Sequence, residues 1–582
     1  MAEATLCAAF QRLAKRNPDA VAIRSYDNSE SLTWSQYADR VRALSEGLHA
    51  IGVRPGDTVA LMLTNCVDFH IVDTAVLHAG AVPYSIYNTF PAETIAFLLE
   101  NANPRLVVCQ SAFLPVIKSA IETAGKSGLP ICVVDGEGGT HQLADVAATS
   151  APEFDFDRTW TAVSPHDVAT IIYTSGTTGQ PKGVELTHNA ILTDLEGLQS
   201  VAHFAANDTV VSYLPDAHVA NRAISHYTGM IYGVEIATVE NFKNIFDALK
   251  RVQPTVFLGV PSIWYKIKAA IDALSAAETD PAAAQRIQSA VEAGRAAARA
   301  GMGAVPDDPA GQEILAKLRT GIGLDSLRLG ITGAAPIAAE THEALLGIGL
   351  PICEMWGMSE CAAATVNPSD SVRIGTVGRP LPGVEIKLAE DGELLVRGPM
   401  LMKGYRSDPA KTAEAIDDEG WLHSGDIATI DDDGYVKIVD RKKDIIINSA
   451  GKNMSPSHIE SAVKVDCPLA GYVVAIGDNR SYVTALINLD AAACSVYLAQ
   501  AGVTDTSAGD LATHPAIRKA MDEGIAAANS KLARVEQIKR YLVVNDRWEP
   551  GGPLVTPTMK HKRKAVLDHY SAEIDALYAA PR

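Results

Sequence analysis

The chain has 582 residues, 47% of them apolar and 20% charged, so it can bury several cores and is not a disordered polypeptide. Fifty Lys plus Arg set against 69 Asp plus Glu give a net charge of -19, which repels phosphate backbones and excludes nucleic acid as the expected partner. Eight cysteines scattered without CxxC spacing fit a reducing, cytoplasmic compartment better than a disulfide-built scaffold.

In chain order, Met1 to Pro18 carries Gln11, Arg12 and Lys15 within a short apolar run and lacks the basic, apolar, small-residue order of a signal peptide. The longest apolar stretch, Phe69 to Ile86, contains Asp73 and His78, so no transmembrane segment is expected, although transient contact with a membrane surface stays open. The β-branched runs Thr58 to Leu63, Leu106 to Cys109, Ile131 to Val134 and Val168 to Tyr173 alternate with the helical patterns Trp34 to Ile51 and Pro91 to Asn101. That alternation predicts α/β layering on parallel strands. The Ala-rich stretch Asp280 to Gly301 reads as a packing helix, and Gly301 to Gly311, with Pro306, Asp307, Asp308 and Pro309, as an exposed, turn-rich linker. From Val377 the texture changes to short strands, Val384 to Leu388, Gly392 to Val396, Ile427 to Ile430 and Tyr435 to Val439, with turns such as Asp433-Gly434. This predicts a β-rich subdomain. The charged stretch Asp440 to Asp444 follows it, and a mixed α/β pattern then runs to Arg582.

The segment richest in chemistry is Tyr173 to Val184, YTSGTTGQPKGV, directly after an apolar strand. Gly176, Gly179 and Gly183 free the backbone to wrap a ligand, Thr174, Ser175, Thr177 and Thr178 supply hydroxyls, and Lys182 supplies a positive charge. The combination suits a polyphosphate. It is not a P-loop, because Gln180 and Pro181 separate the glycine from the lysine.

Tyr173 to Val184 resembles the signature loop of the adenylate-forming superfamily, which includes acyl-CoA synthetases, luciferases and nonribosomal-peptide adenylation domains. Further segments resembling that family follow in its order: Ser212 to His218 (SYLPDAH), Gly333 to Pro336 (GAAP), Trp356 to Glu360 (WGMSE), Gly420 to Asp426 (GWLHSGD), Asp440 to Asp444 (DRKKD) and Pro557 to Lys560 (PTMK). Gly451 to Ser455, Cys467-Pro468, Gly477-Asp478 and the ending Thr556 to Lys560 are most similar to long-chain fatty acyl-CoA synthetases. The resemblance implies an α/β fold with a large N-terminal domain (1–441) of layered α/β subdomains plus a β-rich subdomain. A small mobile C-terminal α+β domain (442–582) would complete it.

It also implies a two-step reaction. A carboxylate attacks the α-phosphorus of ATP, expels pyrophosphate and leaves an acyl-adenylate, from which the thiol of CoA displaces AMP. By family position Lys560 bridges the carboxylate and the α-phosphate, Glu360 with Thr174 holds Mg2+, and Ser175, Gly176, Thr177, Thr178, Gly179 and Lys182 line the phosphates, with Ser359 beside them. Trp356 lies on adenine in a slot formed with Gly333, Ala334, Glu354 and Met355, and Asp426 and Arg441 take the ribose. His218 stands between the acyl and thiol tunnels, Lys443 is the hinge, and Ser449, Ala450 and Gly451 line the CoA tunnel. Three departures stand out. Trp356 replaces the usual Tyr, Asn221 stands before Arg222 where the long-chain pattern has a Glu-Arg pair, and Ser262 replaces an arginine. The last two leave a bulky polycyclic or steroid-like acid as an alternative to a long or medium-chain fatty acid. Acyl transfer to a carrier protein and a non-catalytic lipid- or nucleotide-binding paralogue also stay open.

Overall fold

The structure is a computed structural model describing residues 4–174, 180–301, 308–500, 511–544, 546–556 and 559–579. Its largest sheet has nine strands in the order 379–380, 362–366, 352–358, 329–332, 256–259, 209–212, 235–238, 21–25 and 31–33. The strands from 352–358 through to 21–25 run parallel, and antiparallel strands close both edges. A second, five-stranded sheet is parallel throughout, in the order 82–85, 58–62, 106–109, 131–133 and 141–142. The expected α/β layering is therefore present, and its central strands are buried on both faces as parallel sheets require. The β-rich region is a four-stranded antiparallel sheet of 385–388, 393–397, 422–430 and 436–441.

Two local expectations are corrected. Val168–Thr174 pairs antiparallel with Lys182–Thr187, because the few residues between them are too short for the crossover that a parallel pair needs. The turn-rich reading of Gly301 to Gly311 fails at its end: Pro309 starts the helix Pro309–Ile322, whose cap is the Asp308 carboxylate accepting from the amides of Ala310 and Gly311. Proline fits the first helical turn because its missing N–H has no partner there anyway. The Ala-rich helix is observed as Pro281–Arg299, capped by Asp280.

After residue 441 a separate apolar core forms around the three-stranded sheet 470–476, 483–489 and 538–544, covered by the helices Pro456–Asp466 and Pro515–Lys531. Among the described residues no helix is long and apolar enough to cross a membrane, and all eight cysteines are unpaired and buried.

One polar cluster lies inside the main core. Asp73, on the helix Val67–His78, forms an ion pair with Arg222 at 2.6 Å and meets Nε2 of His226 at 3.0 Å, and all three side chains are inaccessible to solvent. Nδ1 of His226 lies 2.9 Å from Nδ1 of His70. Burial opposes the charge on Asp73, but Arg222 and His226 together hold its carboxyl below the usual range. Arg222 and His226 belong to a π-helical turn, Arg222–Tyr227, a conformation that needs tertiary support. Replacing Asp73 with alanine should destabilise this core by about 3–5 kcal/mol, because the Arg222 guanidinium is left buried without its counter-charge. Urea denaturation followed by tryptophan fluorescence checks this, and an unshifted midpoint would refute it.

Candidate active site

The site forms where neighbouring parallel strands end. Gly333 follows Leu329–Thr332, Ser359 and Glu360 follow Ile352–Met358, and the segment to His218 follows Thr209–Ser212. Open α/β sheets place ligands at this carboxyl edge. The strand edge beside Trp356 is tight: a Cβ on Gly357 would fall 1.7 Å from the Ala362 carbonyl oxygen, so only glycine fits at 357. Ala334 adopts a left-handed backbone, φ 67°, a strained conformation of the kind that collects at functional sites.

The antiparallel sheet supplies the next wall. Asp426 and Arg441 are register partners on adjacent strands, and Nε of Arg441 lies 2.8 Å from Oδ1 of Asp426. The indole Nε1 of Trp356 donates to the other oxygen, Oδ2, at 2.8 Å. The Trp356 side chain thus offers a hydrogen-bond donor as well as an aromatic face. Asp426 is buried, which pushes its carboxyl up from the ordinary value against the opposing pull of Arg441 and the indole. Glu354 and Met355 lie on the same strand as Trp356. The Glu354 side chain is buried with the Ile337 amide 3.4 Å away, and burial pushes it up to about 8.

Lys560 reaches this group from the C-terminal core. Its backbone is tied to Thr556: the Lys560 amide donates to Oγ1 of Thr556 at 3.0 Å, the Thr556 amide donates back to the Lys560 carbonyl at 2.7 Å, and Met559 is left-handed at φ 60°. The side chain is ringed by protein but still opens to water. Loss of hydration and the positive charge of Arg441 push its ammonium down to about 8, with Asp426 pulling the other way. Half-buried His218 is lowered to about 4 by burial and then by the charge of Lys560. Its Nδ1 accepts from the Ala220 amide at 3.1 Å, which leaves Nε2 to carry the proton of the neutral ring.

The remaining sequence candidates divide. Thr174 is the register partner of Lys182, and the Lys182 ammonium lies over the ring of Tyr405, 4.5 Å from its centroid. The Tyr405 hydroxyl donates to Oε1 of buried Glu360 at 2.7 Å. Ser359 is half-buried beside them. Ser175, Gly176, Thr177, Thr178 and Gly179 lie outside the described residues, as do Pro557 and Thr558. Lys443 is exposed in the turn after Arg441. Ser449, Ala450 and Gly451 form an exposed hairpin tip bonded to Asn448 and Arg480.

Sequence reasoning missed Tyr405, whose partners lie far away in the chain. It also missed the reason for Asn221. The Asn221 amide donates to Oδ1 of Asp216 at 2.6 Å and to Oγ of Ser212 at 3.1 Å, and the side chain is buried. Arg222 then fixes the same loop by donating from Nε to the Asp216 carbonyl at 2.8 Å. Asn221 is thus engaged in the core.

A family model described as AMP-binding enzyme matches residues 10–406, and a second, AMP-binding enzyme C-terminal domain, matches residues 443–582. The chain belongs to the AMP-binding enzyme family. The resemblance to the adenylate-forming acyl-CoA synthetases therefore stands. FadD11 of Mycobacterium tuberculosis, named a fatty-acid–CoA ligase, is 48% identical over 76% of this chain and 79% of its own. FadD15 of the same species, named a long-chain-fatty-acid–CoA ligase, is 31% identical over 94% of this chain and 92% of its own. Among solved structures, ATP-bound MatB from Rhodopseudomonas palustris superposes with a TM-score of 0.72 at 24% identity, covering 97% of this chain and 99% of that one. The anthranilate CoA ligase AuaEII with anthranoyl-AMP gives 0.75 at 18% identity, covering 98% of each. Both share the fold of this AMP-binding enzyme.

Trp356→Phe keeps an aromatic face but leaves Oδ2 of Asp426 buried without its donor, and should lower stability by about 1–3 kcal/mol. Thermal unfolding of the variant against wild type measures this, and an unchanged midpoint would show that the indole bond carries no net stability.

Proposed function

We propose that the chain is an ATP- and Mg2+-dependent acid–thiol ligase that converts a long or medium-chain fatty acid to its CoA ester through an acyl-adenylate. The observation that carries this reading is the convergence of Lys560, Arg441, Asp426 and Trp356 at the edge of the parallel sheet. The fatty acid is supported by the names of the relatives. A cytoplasmic setting is supported by the unpaired cysteines.

The first step brings a carboxylate anion to a polyanion, so its main demand is charge neutralisation and alignment. Lys560 meets that demand as an ammonium poised beside Arg441. Asp426 accepts the ribose hydroxyls and Arg441 contacts the same sugar, Trp356 covers adenine in the slot of Gly333, Ala334, Glu354 and Met355, and Lys182 and Ser359 face the phosphates. Among the described residues no group of three His, Cys, Asp or Glu could hold a resident metal. Glu360 and Thr174 offer a carboxylate and a hydroxyl, hard oxygen donors suited to Mg2+ that arrives on the nucleotide. Bound there, Mg2+ would neutralise phosphate charge. In the second step, neutral His218 orients the carboxyl end of the acyl group while CoA approaches past Ser449, Ala450 and Gly451. The division at 441/442, with Lys443 as hinge, is supported by the separate core after residue 441 and by the start of the C-terminal family match.

Mass-spectrometric detection of acyl-CoA from ATP, Mg2+, CoA and competing fatty, aromatic and steroid-like acids tests the proposal. Fatty acyl-CoA is expected to dominate; product from bulky acids alone would overturn the substrate, and no product would overturn the reaction. Lys560→Ala should slow ATP–pyrophosphate exchange by about 10²–10³-fold. In wild type the same exchange should fall as pH rises through about 8, because the lysine acts as a cation below that value and loses its charge above it. A profile flat through that range would exclude Lys560 as the titrating group.

A further inference from the structure

We propose that Tyr405 is a positioning residue that holds the Lys182 ammonium and the Glu360 carboxylate apart, and so keeps both available to the nucleotide. The inference rests on the reading that Lys182 and Glu360 serve the triphosphate and its Mg2+. An unscreened ammonium and a carboxylate in one cleft attract each other strongly, and a direct pair between them would have to be broken before ATP could use either. Tyr405 engages each group through a different part of one side chain. Its hydroxyl donates to Oε1 of Glu360 at 2.7 Å, and its ring face takes the Lys182 ammonium at 4.5 Å, where the π-electron density attracts a cation. The two opposite charges are thus satisfied by a neutral group that separates them.

The backbone fixes this separator. Gly404–Tyr405 is a short strand paired antiparallel to the strand that begins at Lys182, with Tyr405 opposite Val184. The Arg406 amide donates to the Gly183 carbonyl at 2.7 Å and the Met402 amide to the Glu360 carbonyl at 2.8 Å. The Tyr405 amide is itself bonded to Oγ1 of Thr412 at 2.9 Å. One segment is therefore stitched to the main chain beside both charged side chains, and the buried ring cannot drift from between them.

The test is calorimetric binding of ATP alone, in EDTA, to Tyr405→Leu and Tyr405→Phe, each made in the wild-type and in the Glu360→Gln background. Tyr405→Leu should weaken ATP about tenfold in the wild-type background, since Lys182 is then drawn into a pair with Glu360. In the Glu360→Gln background, where the carboxylate at 360 can no longer capture Lys182, the same change should shift affinity by less than about twofold. Tyr405→Phe keeps the ring and loses only the hydroxyl, so it should show the same background dependence at about threefold; it decides the matter if the leucine variant does not fold. An equal loss in both backgrounds would reduce Tyr405 to a shape-filling residue and overturn the proposal, as would no loss in either. Wild type and Glu360→Gln that both fail to bind ATP would overturn instead the nucleotide reading on which it rests.

Discussion

The carboxylate of Asp426 is the charge around which this molecule's site is arranged. Burial makes an ionised carboxylate costly unless donors and cations surround it, and those partners come from distant parts of the chain. The Trp356 indole is held in the large sheet, Arg441 in the antiparallel sheet, and the Lys560 charge in the C-terminal core. One desolvated group thereby links the core shared by the large and antiparallel sheets to the C-terminal region. The partners are not equivalent. Trp356 is buried and fixed, whereas Arg441 and Lys560 open to water, so the cationic side of the arrangement can be given up at lower cost than the indole side.

A second buried charge acts on the opposite side of the site. Asp73 and Arg222 neutralise each other deep in the core, and Arg222 spends its other donors on the Asp216 carbonyl, Ser85 and Tyr227. The loop ending at His218 is thus tied to a helix more than a hundred residues earlier in the chain. Asp216, raised to about 7 by burial, is held by the amides of Asn65 and Asn221. Such a cage gains little stability over an apolar core, but it admits few alternative arrangements of the loop.

Much of this was legible from contiguous residues. The strands, the Ala-rich helix and the antiparallel turn-rich region follow from periodicity and from Gly, Pro and Asp placement. The site segments were visible because each is a short run whose chemistry is local: hydroxyls, glycines and a lysine in 173–184, a serine and a glutamate in 356–360. What escaped depends on pairing across the chain. Tyr405 acquires its meaning only when its strand lies beside Lys182, and Asn221 only when Asp216 folds back onto it. The antiparallel pairing of 168–174 was hidden for a related reason, since an apolar β-branched run looks the same in either orientation. At Trp356 the residue type was legible as an aromatic face, but the direction of its N–H was set by tertiary packing.

The attachment of the C-terminal core bears on how Lys560 serves the proposed chemistry. Its visible ties to the rest of the chain include Lys531 to Glu340 at 2.9 Å and Lys266 to Asp490 at 3.7 Å. Such exposed pairs are each worth about 0–1 kcal/mol. Lys560 is bonded instead to Thr556 of its own region, and the following Arg563 is anchored within the C-terminal core by Glu460 and the Ala475 carbonyl. At the junction, Asp440 accepts from both hydroxyls of Ser455 and Ser457 and from the Ser457 amide, capping the helix Pro456–Asp466 beside the turn that contains Lys443. Lys560 is therefore tied to Thr556 of its own region, while the contacts of that region with the rest of the chain include exposed ion pairs and the junction at Asp440. Exposed pairs of that kind are cheap to break, which suits the proposed movement of Lys560 between the two steps.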